Sequence, residues 1–129
     1  MLVTRYDSVH FDPAAPVAEV VFRDSVSATS IPGVSMLIDT GADISVIPLW
    51  VIEALGLDTS SCTSYKTTAF DGSVSTHYAI NVEMTFLNKL FRGQFLVVDD
   101  AIGIIGRNIL NRMDMLFSGK QLEWREVVS

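Results

Sequence analysis

The chain has 129 residues, 49% of them hydrophobic and 19% charged, which fits one ordinary domain and excludes a disordered or solvating tail. Nine Lys and Arg against 15 Asp and Glu give a formal charge of −6, so a phosphate-binding face, and nucleic-acid binding with it, is disfavoured. One cysteine, two histidines and no apolar run near the ~18 residues of a span argue against a disulfide scaffold, a metal centre and a membrane segment.

Residues 1–16 read as a lead-in. Asp12-Pro13 and Ala15-Pro16 disfavour helix, and the charges there leave no place for the apolar stretch of a signal peptide. The expected location is cytoplasmic, and Met1 points to a stand-alone product. Residues 17–129 are expected to form the folded domain. Val17 to Phe22 is rich in β-branched and aromatic residues and predicts a strand. A polar stretch and Pro32-Gly33 then precede Val34 to Ile38, apolar enough for a strand buried on both faces. PLWVIEALG opens a helix with Pro48 and closes it with Gly56, with Leu49, Ile52 and Leu55 on the buried side. After a Ser/Thr-rich segment, Asp71-Gly72 between Thr67–Phe70 and Ser73–Thr76 predicts a hairpin with a two-residue turn at positive φ. Further strands are expected at Tyr78–Leu87, Leu90–Val98 and Ile102–Ile105, and a short helix at Arg107–Met113. A last pair follows at Leu116–Phe117 and Gln121–Val128, joined by Ser118-Gly119-Lys120. Strands dominate, so the expected class is all-β with one or two short helices.

The chemistry concentrates in Met36 to Pro48, MLIDTGADISVIP. A hydrophobic strand would hold Asp39 at its end, Gly41 permits a tight turn, and the Thr40 hydroxyl can bond locally or across an interface. Backbone N–H groups of such a turn can point at the carboxylate. Asp-Thr-Gly alone is a weak signal. Its apolar framing strengthens it, and so does AIGIIGRNIL (Ala101 to Leu110), a second hydrophobic strand running into Gly-Arg-Asn. His10 and His77 lack metal-ligand spacing, Cys62 sits in a polar segment, and no Gly-rich loop accompanies Asp99-Asp100, so no cofactor or metal is expected.

These two segments, in this order, resemble the retropepsin-type aspartic proteases, single-domain relatives of pepsin. MLIDTGADISVIP is similar to the active-site segment of that family and IIGRN (Ile104 to Asn108) to its second signature; Asp71-Gly72 falls between them, where the flap hairpin lies. The likeness spans about Val17 to Val127. It implies a closed or partly open β-barrel, half of a pepsin-type bilobal enzyme, and an endopeptidase activity with Asp39, Thr40 and Gly41 as the catalytic triplet. It further implies that Ala42, Asp43, Ile44, Val46, the flap residues Phe70, Asp71, Gly72 and Ser73, and Ala101, Ile102 and Ile104 line the substrate cleft, with hydrophobic side chains preferred at the cleavage site. Asp43 and Arg107 are expected to form a structural ion pair. Ala42 stands where pepsin-like enzymes carry a hydroxyl, which implies activity in mildly acidic conditions.

Aspartic proteolysis needs two carboxylates sharing a proton, and this chain offers one clean triplet. Asp58-Thr59-Ser60 lies 19 positions after Asp39 (58 − 39), too close for a second lobe. The enzyme reading therefore requires a homodimer with one Asp39 per copy and a peptide substrate in the shared cleft. The competing reading is a dimerisation or peptide-binding module on the same fold, motivated by a flap tip with only one glycine. Whether the terminal strands interleave between copies is open, and Trp124 with Val127 and Val128 could serve that interface or the core.

Overall fold

The computed structural model describes residues 2–128. Its strands are β1 (Thr4–Arg5), β2 (Val17–Arg23), β3 (Ser30–Ile38), β4 (Val46–Pro48), β5 (Thr63–Thr68), β6 (Val74–Phe86), β7 (Lys89–Val98), β8 (Gly103–Ile105), β9 (Met115–Ser118) and β10 (Glu123–Glu126). Two short helices, α1 (Leu49–Ala54) and α2 (Arg107–Leu110), follow β4 and β8. The all-β architecture is the expected one. Strand structure begins earlier than Val17, because β1 pairs with β10 through Thr4↔Trp124 and Arg5↔Glu123. β3 also starts early, at Ser30; a register irregularity opposite Val20–Phe22, with Gly33 at φ +69°, lets the strand run through Pro32-Gly33. α2 stops at Leu110 rather than Met113. The last turn falls at residues 119–122, with Leu122 at φ +53°.

α1 is built as its sequence dictates. Pro48 precedes the first turn with φ −64°, and Gly56 at φ +77° ends it. The Gly56 and Leu57 N–H groups donate to Glu53 and Ile52 carbonyls, closing the helix by a paired C-terminal motif. Val51, Ile52 and Leu55 are buried, so the apolar face includes Val51 as well as the expected positions.

Six strands close a barrel in the order β2-β3-β8-β4-β7-β6, the ring completed by β2–β6 pairing. β6 is the spine. Tyr78 to Phe86 pair with β7 along one edge; on the other, Val74 to Ala79 pair with β5 and Glu83 to Thr85 with β2. The β5–β6 hairpin thus projects from a closed barrel instead of belonging to it. The barrel interior is filled by Phe22, Met36, Ile47, Met84, Phe86, Phe95 and Ile105, with Phe22 and Phe95 edge to face at 5.3 Å.

The register also sets Arg23, Glu83 and Arg92 side by side on β2, β6 and β7. Glu83 is 5% exposed and takes Arg23 at 3.1 Å and Arg92 at 3.3 Å, so a buried carboxylate has a cation on either flank. At the far end of the chain, β1, β10 and β9 form a separate three-stranded sheet. Trp124 is a core residue: it is 2% exposed, lies 6.1 Å from the Phe86 ring, and its indole N–H donates to the Val17 carbonyl. Val127 and Val128 remain exposed. Among the described residues no helix is long and apolar enough to cross a membrane.

The Phe22–Phe95 contact yields a direct test. Phe95→Ala is expected to lower the unfolding free energy by about 3–5 kcal/mol, measured as a reduced urea midpoint with an unchanged slope.

Candidate active site

Asp39 stands at the point where two crossing segments hold each other. β3 and β8 run parallel, with Leu37 opposite Ile104 and Ile38 opposite Ile105. The ladder continues one step further, the Asp39 N–H donating to the Ile105 carbonyl at 3.0 Å. The chain then turns tightly: the Gly41 N–H donates to Asp39 Oδ1 at 2.9 Å and the Ala42 N–H to the Asp39 carbonyl at 3.2 Å. Asp39 is half-buried, while Thr40 and Gly41 are exposed at the tip. One carboxylate oxygen is thereby fixed by the turn.

The second segment locks onto this turn from below. Gly106 ends β8 so close to the loop that a Cβ there would lie 2.8 Å from the Ile44 carbonyl carbon and 3.0 Å from the Ala42 oxygen. Its φ is −96°, so space alone, not backbone freedom, demands glycine. The Gly106 N–H donates to Ser45 Oγ at 2.9 Å, and Ser45, fully buried, passes its own hydrogen to Asn108 Oδ1 at 2.8 Å. The Arg107 N–H donates to the Ala42 carbonyl at 2.8 Å and its Nη1 to the Thr40 carbonyl at 2.7 Å.

This corrects the expected ion pair. Among the described residues Asp43 and Arg107 do not bridge; Asp43 is exposed, and the Arg107 guanidinium is spent on the Thr40 carbonyl. The arginine still ties the loop to α2, through backbone oxygens that cannot swing away as a carboxylate can. Sequence reasoning missed Ser45 altogether. The available signal was a single hydroxyl inside the apolar run Ile44–Ile47, which a buried strand tolerates only with partners.

Ala42, Ile44, Val46, Ile102 and Ile104 are half-buried, and Val46 pairs with Ile104 across β4 and β8. Ala101 is exposed and its carbonyl accepts the Trp50 indole N–H at 3.0 Å, which pins the wall leading into β8. Gly103 is close-packed, a Cβ there running into Met36 Sδ and the Val46 oxygen.

The hairpin tip stands apart. Phe70, Asp71, Gly72 and Ser73 are exposed, and the backbone hydrogen bonds around the tip stay within the hairpin. The turn has three residues, not two: Ala69 and Ser73 face each other, the Gly72 N–H returns to the Ala69 carbonyl, and Gly72 alone takes positive φ, at +84°. A type I turn followed by one left-handed glycine gives a one-residue bulge that suits strand twist as well as the two-residue turn does. The Ser73 hydroxyl and N–H hold the Asp71 carboxyl below its usual 3.8. Three of the weaker candidates are accounted for locally. His10 bonds Asp7 at 2.7 Å, and Asp58 accepts the Ser60 N–H in a short turn. His77 bonds Thr67 at 2.8 Å and stacks on Tyr65. Among the described residues no three His, Cys, Asp or Glu side chains form a metal-sized cluster.

This arrangement belongs to a known class. A family model described as "Aspartyl protease" matches residues 30–109, from the start of β3 into α2, and the chain belongs to that family. The fold is also that of solved retropepsin-like enzymes. A protease of EIAV, complexed with the inhibitor HBY-793, is 23% identical with a TM-score of 0.54, over 82% of this chain and 91% of that one. A retropepsin-like aspartic protease from Rickettsia conorii is 14% identical with a TM-score of 0.58, over 98% of this chain and 92% of that one. The protein is an aspartic-type endopeptidase, a hydrolase.

Two outcomes test the site. Ser45→Ala strands the buried Gly106 N–H and is expected to cost about 1–3 kcal/mol, read as a lowered melting temperature. Asp71 should titrate below 3.8 in a side-chain NMR experiment, and Ser73→Ala should move that midpoint upward. Because the folded carboxyl titrates low, its support of the turn is complete above the unfolded value and is lost as pH falls through the lowered one.

Proposed function

We propose that the chain cleaves peptide bonds as a homodimer in which Asp39 of each copy supplies one carboxylate of a shared pair. The observation that carries this reading is a single Asp39 per chain, locked at the end of β3 with its loop tip exposed, where a two-fold axis could bring two such loops together. Two carboxylates in contact hold one proton between them, since both cannot ionise at that distance. The ionised one takes a proton from a water as it attacks the scissile carbonyl; the protonated one hydrogen-bonds the carbonyl oxygen as it gains charge. The proton then passes to the departing amine. Thr40 and Gly41 would belong to the same machinery, Thr40 through a hydroxyl that reaches the partner loop and Gly41 through its N–H on Asp39.

Ala42, Ile44, Val46, Ile102 and Ile104 support a preference for hydrophobic side chains around the cleaved bond, with Asp43 and Ala101 at the rim and the Phe70–Ser73 tip closing from above. Residues 17–129 would form the catalytic unit, to which the lead-in adds β1. The free thiol of Cys62 fits a reducing compartment, and we assign the enzyme to the cytoplasm on that ground.

Asp39→Asn should reduce peptide cleavage by at least about 10²- to 10⁴-fold with circular dichroism unchanged. Specific activity of the unmodified enzyme should fall on dilution through the dimer dissociation range. Activity per mole that stays constant where sedimentation shows only monomer would overturn the shared-carboxylate reading.

A further inference from the structure

Beside the Asp39 loop lies a groove of about 330 Å³ formed where α2 and the turn after it meet β7. Asp43, Ile44, Phe91, Arg92, Asn108 and Arg112 are among the residues that line it. Because Asp43 and Ile44 also belong to the active-site loop, the groove adjoins that loop.

Its charges are arranged asymmetrically. Arg23 and Arg92 are committed to the buried Glu83. Arg112 has no carboxylate within ion-pair distance among the described residues, although the chain as a whole is acidic. Its guanidinium lies 6.0 Å from the centre of the Phe91 ring, which positions an exposed cation over the groove without neutralising it. Asn108 spends its Oδ1 on Ser45, so its amide hydrogens are left as donors, four positions before Arg112. Donors and positive charge therefore gather at Asn108 and Arg112, while Asp43 puts negative charge where the groove meets the active-site loop.

We propose that this groove is a distal subsite in which Arg112, with Asn108 beside it, holds an acidic side chain of the substrate beyond the residues flanking the scissile bond. The inference rests on the endopeptidase reading above. An acid close to the cleaved bond would face Asp39 and Asp43 and be disfavoured; one further out meets a guanidinium able to bind it through two N–H groups. In a two-fold dimer each copy contributes one groove, so the preference applies at both ends of the peptide.

The test is a peptide series with one scissile core and Glu, Gln or Lys placed in turn three to five residues from the cleaved bond on either side. Glu should exceed Gln by about fivefold in kcat/KM at one of these distances, chiefly through KM and less so at high salt. In Arg112→Gln the Glu-to-Gln ratio should fall to about one, and in Arg112→Glu the order should reverse in favour of Lys. Fluorescence anisotropy of labelled Glu and Gln peptides on Asp39→Asn protein reads the same preference without cleavage. Cleavage with no Glu preference at any of these positions, or with one that survives Arg112→Gln, overturns the subsite and leaves the protease reading intact. Arg112-dependent binding of the Glu peptide by unmodified protein that cleaves nothing does the reverse. Neither cleavage nor preferential binding overturns both.

Discussion

The structure turns on one close crossing, that of Gly106 over the backbone of Ala42 and Ile44. At 2.8 Å from a virtual Cβ there is no room for any side chain, and that proximity lets Ser45, Arg107 and Asn108 reach across. Each of these links ends on a backbone group or a buried hydroxyl. Such partners hold position better than exposed ion pairs, which contribute little and are screened by salt. The loop that carries Asp39 is therefore rigid because of what lies beneath it, and its own exposed residues are left free for other contacts.

A second division follows from β6. Thirteen residues long, it outlasts each of the neighbours on its second edge, so that edge is divided between β2 and β5. The part paired with β2 closes a barrel and removes its edges; the part paired with β5 is a two-stranded ribbon whose β5 residues are exposed along their whole length. Stable barrel and protruding hairpin are thus consecutive halves of one strand.

The termini are handled within the chain. β10 has β1 on one side and β9 on the other, and Trp124 anchors it to Val17 at the base of β2. Both edges of the C-terminal strand are satisfied by the same polypeptide, so a second copy would pair with β10 only by displacing one of these neighbours. The edges left unpaired in this sheet belong to β1 and β9. Charge is organised with the same locality: Glu83 lies between two arginines in cross-strand register, while Arg112 stands alone near the loop.

Much of this was legible in the residues themselves. Alternation and β-branching placed most of the strands, Pro48 and Gly56 bounded α1, and the ordered pair MLIDTGADISVIP and IIGRN carried the family and the place of Asp39. These are local signals, set by backbone sterics and by short stretches of sequence. Tertiary structure decided what depends on distance between segments far apart in the chain. Whether Arg107 meets Asp43 or a carbonyl, whether Ser45 is a core residue or a link, and that β1 takes the second edge of β10 cannot be read from spacing, because 60 or more residues separate the partners. The Asp71-Gly72 turn shows the same limit at short range: the dipeptide fits two loop lengths equally, and the register of β5 against β6 selected the longer.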